Sequence, residues 1–218
     1  MREFAGKTAF VTGGAAGIGF SLGRAFAEAG MNVMLADIEA DALRDAVKRL
    51  DEFAPRIRGI ICDVADPESV ERAAQASFDA FGNVHVVCNN AGVAAGGGID
   101  YISLDNWRWV LDVNLMGVLH GIASFLPHIR AHGEGGHIVN TASMAGMQCG
   151  LGFSPYGASK FAVVSMSEGL SLQLNRTASA SACCVRAMCV PASARAGAIV
   201  RRATVNRRCS IPRVRRRP

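Results

Sequence analysis

Apolar and polar positions follow two rhythms along the first 175 residues. Short, mostly apolar runs rich in β-formers occur at 7–12, 32–36, 58–64, 84–89 and 137–141. Between them, residues 17–29 carry Ile18, Leu22, Phe26 and Ala29 at helical spacing, and 40–53, 104–131 and 155–173 also read as helices. Pro67 at a helix start and Gly82 just past its end bracket one more. Pro127 predicts a bend or an end in the long helix 104–131. Strands apolar on both faces and separated by helices describe βαβ units. The expected fold is a doubly wound α/β domain, its parallel sheet covered on both sides. Ligands on such a sheet sit beyond the carboxyl ends of the strands, near the switch in strand order.

Composition changes this picture in one place. The chain has 218 residues, half of them hydrophobic, which fits one domain with a large core. No apolar run looks long and charge-free enough to span a bilayer, and Met1-Arg2-Glu3-Phe4 leads straight into a strand pattern. A cytoplasmic protein without membrane partners is expected. The net charge of +5 is a sum of unlike parts. Residues 1–175 carry 12 Lys+Arg against 18 Asp+Glu, whereas 176–218 carry 11 Arg and no acid. The expected organisation is therefore a nucleotide-binding domain over 1–175 and an atypical Arg-rich tail over 176–218. A basic tail is compatible with nucleic-acid binding, but no nucleic-acid motif accompanies it and no such partner is expected. Cys62 and Cys88 fall in strand-like runs and read as small core hydrophobes. There is no CxxC pair and no metal-ligand spacing among the histidines, so no metal is expected.

Candidate chemistry begins after the first strand. Gly13, Gly14, Gly17 and Gly19 lie in a turn that opens the first helix, with Ile18 between the last two. Glycine lets the backbone approach a pyrophosphate, and the helix N-terminus presents unpaired N–H groups to that anion. Asp37 ends the next strand. A carboxylate there accepts bonds from the adenosine ribose hydroxyls and repels a 2′-phosphate. Ala15 and Ala16 offer no basic side chain to offset that repulsion, so NAD is expected over NADP. This is a Rossmann-type arrangement.

The spacing Gly-x-x-x-Gly-x-Gly resembles the short-chain dehydrogenase/reductase family. The rest of that pattern follows in order: Asp63, then Asn89-Asn90-Ala91-Gly92, Asn114, Ser143 and Tyr156-x-x-x-Lys160. The resemblance covers residues 5 to about 175. It implies that Gly13, Gly17, Ile18 and Gly19 hold the cofactor, that Asp63 and Val64 contact adenine, and that Asn90, Ala91 and Gly92 line the cofactor turn. It implies hydride exchange between NAD(H) and a secondary alcohol or ketone, in a homo-oligomer. Tyr156 and Lys160 are four apart on a helix and share a face. A nearby ammonium favours phenolate, so Tyr156 is the expected general acid/base and Lys160 its tuner and a cofactor ligand. Ser143 would donate to the substrate oxygen, and Asn114 would hold a water joining Lys160 to solvent. Each residue has a plainer role open to it: Ser143 as a loop cap, Asn114 as a helix-backbone partner, Tyr156 as a surface tyrosine. Trp107 and Trp109 read as helix-packing residues.

The pattern breaks after the catalytic helix. The family continues with a Gly-Ile-x-Val-type strand and a Pro-Gly turn beside the nicotinamide. Neither is readable in 176–218, and Pro191 is not followed by Gly. With suitable codons, a one-base shift of reading frame near Asn175 restores both. The sixth and seventh strands are therefore expected to be missing or disrupted. The alternative function is a truncated or frameshifted relative that binds NAD weakly and is catalytically impaired.

Overall fold

The computed structural model describes residues 3–148, 150–176 and 183–188. Six parallel strands form one sheet: β1 (Thr8–Thr12), β2 (Asn32–Asp37), β3 (Ile57–Ile61), β4 (Val86–Asn89), β5 (Gly136–Thr141) and β6 (Cys183–Met188). Their order is β3-β2-β1-β4-β5-β6. The chain runs outward from β1 to β3, then returns to place β4 on the other side of β1. The strand order therefore switches between β1 and β4, which opens a crevice at their carboxyl ends.

The helices are α1 (Gly17–Glu28), α2 (Ala40–Arg49), α3 (Pro67–Phe81), α4 (Leu104–Leu111), α5 (Gly117–His132) and α6 (Ser154–Arg176). Strand side chains alternate between two cores. Ala9, Val11, Val86 and Cys88 pack with Leu22 of α1 and Leu43 of α2. Phe10 and Val87 pack on the opposite face with Val70 of α3, Phe125 of α5 and Val163 of α6. Phe10 and Phe125 meet with ring centroids 4.5 Å apart. Cys62 and Cys88 are both buried, as expected of small core hydrophobes.

Several boundaries differ from the pattern. The helix expected over 40–53 ends at Arg49, and Asp51–Phe53 forms a separate 3-10 turn. Pro127 lies inside α5, which runs on to His132 and stops at Gly133 in the left-handed region. The sequence predicts a bend or an end at this proline; the helix does not end there, and the packing of Phe125, Leu126 and Ile129 around it holds the helix together. Together α4, one π turn (Asp112–Met116) and α5 make a continuous run, Leu104–His132, that is long and apolar enough to cross a membrane. This corrects the reading that no such run exists. Val118, Ile122, Phe125, Leu126 and Ile129 of this run are buried in the second core, so packing accounts for that part of its hydrophobicity, while Leu104, Met116 and Leu119 are exposed. Trp109, expected to pack, is 47% exposed.

The C-terminal part differs most. No strand is legible after residue 175, yet Cys183–Met188 pairs with β5 over its whole length, from Gly136↔Cys183 to Thr141↔Met188. Parallel pairing uses backbone groups that every residue but proline possesses, so an open strand edge accepts a short run of unremarkable sequence. The seventh strand and the Pro-Gly turn lie outside the described residues, as does most of the segment that follows the proposed frame change near Asn175.

Candidate active site

The Gly-rich turn is shaped by two close approaches. Gly13 has φ +63°, and a Cβ there would lie 3.0 Å from the Ala91 Cα. A Cβ on Gly19 would lie 1.9 Å from the Gly13 carbonyl oxygen, so no larger residue fits while the turn keeps its form. Asp37 closes the turn from the side. Its Oδ2 accepts the Ala15 N–H at 2.9 Å and its Oδ1 accepts the Glu39 N–H at 3.1 Å. The carboxylate therefore stands at the end of β2, beside the turn.

Thr12 joins this turn to β4. Its hydroxyl accepts the N–H groups of Asn90 and Ala91, at 2.9 and 3.0 Å. The Asn90 side chain donates to the Thr12 carbonyl and accepts from the Thr141 hydroxyl. Asn90 is thus a strut across the ends of β1, β4 and β5. Val64 is buried, while Asp63 accepts the Ala65 N–H at 2.9 Å and donates its own N–H to the Ser69 hydroxyl.

On the α6 side, Lys160 is buried, and its Nζ donates to the Thr141 carbonyl at 2.8 Å. Burial pushes its ammonium down to about 8. The Nζ lies 5.7 Å from the centroid of the Tyr156 ring, as i,i+4 spacing on one helix requires. Ser143 starts a 3-10 turn and its hydroxyl accepts the Ala145 N–H at 3.1 Å, so the capping role is present at the mouth of the site. Asn114 sits in the π turn and is fully buried. Its amide accepts from the Val93 N–H, and donates to the Val93 carbonyl and the Ser159 hydroxyl. A π turn commonly marks a functional position. Here it turns Asn114 toward the β4 loop and α6. Ser159, the residue before Lys160, is the partner that the sequence pattern did not indicate.

A cavity of about 370 Å³ gathers these elements. Its walls include Gly13, Gly17 and Ile18, the Asn90-Ala91-Gly92 turn, and Ser143, Tyr156 and Lys160. Gly19, Asp37, Asp63, Val64 and Asn114 do not line it. Gly19 supports the turn from beneath and Asn114 supports the Val93 loop. The residues fit a dinucleotide. Glycine keeps the backbone open at the start of α1, Asp37 anchors that turn from the end of β2, and Lys160 and Tyr156 line the same cavity.

Two polar contacts missed in the sequence meet at Asn140, one holding α6 on β5 and one joining β5 to β4. Ser167, seven residues after Lys160 and on the same face, accepts from the Asn140 amide at 2.9 Å. Asn140 in turn accepts from the Asn89 amide at 2.9 Å.

At the opposite end of the sheet, His85, His132 and Glu134 bring ligand atoms within 4.8 Å of one another. Sequence spacing gave no sign of this cluster. His85 Nδ1 accepts the Thr8 N–H at 3.2 Å, so its Nε2 carries the proton and donates to Glu134 at 3.0 Å. His132 Nδ1 accepts the Glu134 N–H, and its Nε2 donates to the Val84 carbonyl. These bonds use the imidazole lone pairs that a metal would need.

Known proteins share this sequence pattern and fold. The sequence profile of the short chain dehydrogenases matches residues 7–198. A C alpha-dehydrogenase of Sphingobium sp. is 36% identical over 170 residues, 78% of this chain and 56% of the relative. A 1-deoxy-11-beta-hydroxypentalenate dehydrogenase of Streptomyces avermitilis is 37% identical over 173 residues, 64% of its length. The chain thus spans somewhat over half to just under two thirds of these relatives. A solved short chain dehydrogenase/reductase from Burkholderia phymatum in complex with NAD superposes with a TM-score of 0.81 at 40% identity, over 84% of this chain and 65% of that one. With the ordered motifs on a matching sheet, the chain belongs to the short chain dehydrogenase family.

Proposed function

We propose that this chain binds NAD in the β1/β4 crevice and exchanges a hydride between NAD(H) and a secondary alcohol or ketone. The observation that carries this reading is the single cavity onto which the Gly-rich turn, Ser143, Tyr156 and Lys160 all open. The NAD complex of the Burkholderia phymatum relative supports the choice of cofactor. The cofactor, when bound, supplies the hydride donor or acceptor. The start of α1 holds the pyrophosphate, Asp37 the adenosine ribose, and Asp63 and Val64 the adenine. Tyr156 gives or takes the proton on the substrate oxygen, and Ser143 donates a hydrogen bond that keeps that oxygen beside the phenol. Lys160 holds the nicotinamide ribose and places positive charge next to Tyr156. Asn114 fixes Val93 and Ser159, and so the floor on which Lys160 rests.

The test is NAD titration followed by turnover on a panel of secondary alcohols. Tyr156→Phe should lower turnover by about 10²-fold or more while leaving NAD affinity nearly unchanged. Retention of most activity removes Tyr156 from the acid/base role. A second reading, an impaired relative that binds NAD weakly, draws on the length of the match: the curated relatives pair with 78% of this chain, and much of their own length has no counterpart here. In that case NAD binds and turnover is weak in the unaltered chain.

A further inference from the structure

Resting on the reading of the crevice as a dinucleotide site, we propose that His120 is a positioning residue for the adenine end, acting through the Val64 carbonyl. His120 lies on α5, which packs across the loop after β3. Its Nδ1 is 2.9 Å from the Val64 carbonyl oxygen. A carbonyl only accepts, so the imidazole nitrogen facing it carries the proton. Gly117, one turn earlier on the same face, permits this approach. A Cβ there would lie 2.8 Å from the Val64 side chain and 3.3 Å from its carbonyl. The glycine lets the helix come close and the histidine fixes the distance.

The hydrogen bonds of Asp63, Ala65 and Asp66 lie within the loop or reach Ser69 of α3. The Asp63 N–H donates to Ser69, the Ala65 N–H to the Asp63 carboxylate, and the Asp66 N–H to the Asp63 carbonyl. Those bonds fix the turn after Val64 and hold the Asp63 carbonyl, while the Val64 carbonyl is met from the α5 side. His120 is the hydrogen bond that ties Val64 to the long helix. That helix begins directly after the π turn bearing Asn114. One continuous element therefore holds the loop assigned to adenine at one point and the floor of the catalytic lysine at another. A base edge that needs an acceptor and a donor side by side depends on the orientation of both Asp63 and Val64, so losing the His120 bond should weaken the adenine half of the ligand.

The experiment measures AMP and NAD⁺ affinity by calorimetry in the full chain, with thermal midpoints alongside. His120→Leu should weaken AMP binding roughly three- to tenfold, the range of one lost neutral hydrogen bond. His120→Asn places an amide N–H where Nδ1 stands and should restore affinity to within about twofold. In an Asp63→Ala background, which already lacks the proposed adenine contact, His120→Leu should have little further effect. Unchanged AMP affinity in His120→Leu overturns the inference and leaves the dinucleotide reading standing. So does equal loss in the leucine and asparagine variants, or full loss in the Asp63→Ala background, either of which marks a general packing effect. Failure of the unaltered chain to bind either AMP or NAD⁺ overturns both.

Discussion

Gly19 and Asp37 carry the two most local predictions. A Cβ on Gly19 meets the Gly13 carbonyl at 1.9 Å, so Gly19→Ala must either unwind the start of α1 or open the turn. Strain of this kind costs about 1–3 kcal/mol, and NAD affinity should fall roughly tenfold or more by calorimetry. Near-normal affinity would mean that the turn does not hold the cofactor. Asp37→Ala should narrow the preference for NAD over NADP. It should also weaken NAD itself, because the carboxylate anchors the Ala15 N–H of the turn. Equal affinity for both cofactors in the unaltered protein would count against the role given to Asp37. Lys160 adds a pH dependence. Burial lowers its ammonium to about 8, so the charged form that would meet the ribose and phenol is lost as pH rises through that value. NAD affinity of the free protein should decline above about pH 8, and Lys160→Met should abolish that decline. The same depression works the other way on stability. Above about pH 8 the unfolded chain still holds the lysine proton that the fold has released, so this group's contribution to stability grows until its ordinary value of 10.5.

At the scale of elements, the amino ends of β1, β4 and β5 are joined by polar contacts. Glu134, just before β5, meets Lys7 beside β1, and His85 and Asn83 before β4. Hydrogen bonds from Lys7, then His85 and Asn83, hold its carboxyl down at about 2. That contribution is complete above the ordinary value of 4.5 and is lost as pH falls toward 2. Burial lowers His85 below its ordinary 6.5, despite the neighbouring carboxylate. An unfolded chain therefore takes up this proton first, and stability begins to fall as pH drops below 6.5. Both groups act in the same direction. The thermal midpoint should decline from pH 7 to 4, and Glu134→Gln combined with His85→Gln should flatten the curve. An unchanged slope in the double variant would place the acid sensitivity elsewhere.

For the whole molecule, the question is what the Arg-rich segment does to a domain whose motifs are otherwise complete. The 11 Arg of 176–218 have no acid within that segment to pair with, and burying them without partners is costly. If this segment arose from a shifted frame, restoring the frame near Asn175 should raise turnover strongly while changing AMP affinity little, since the groups assigned to adenine all precede residue 121. Expression of both versions, with turnover and AMP titration side by side, decides the matter. Full activity in the chain as it stands would end the frameshift account.

The first 175 residues determined the architecture because their hydrophobic periods are long and repeated, and each βαβ unit has one compact right-handed way to pack. They marked the candidate site residues as a set because turn glycines, a strand-end acid and a Tyr–Lys pair one helical turn apart are local features. Tertiary structure decided what spans the chain. Asn114 finds its partners at Val93 and Ser159 only because a π turn rotates it there, and no periodicity announces one irregular turn. His120 meets Val64, and Ser167 meets Asn140, across gaps in sequence that carry no pattern. Glu134, just before β5, collects contacts from the ends of two other strands. Proline inside α5 is tolerated because packing around it outweighs one missing hydrogen bond. β6 forms where the sequence shows no strand, because the open edge of β5 offers backbone groups that pair without regard to side chains.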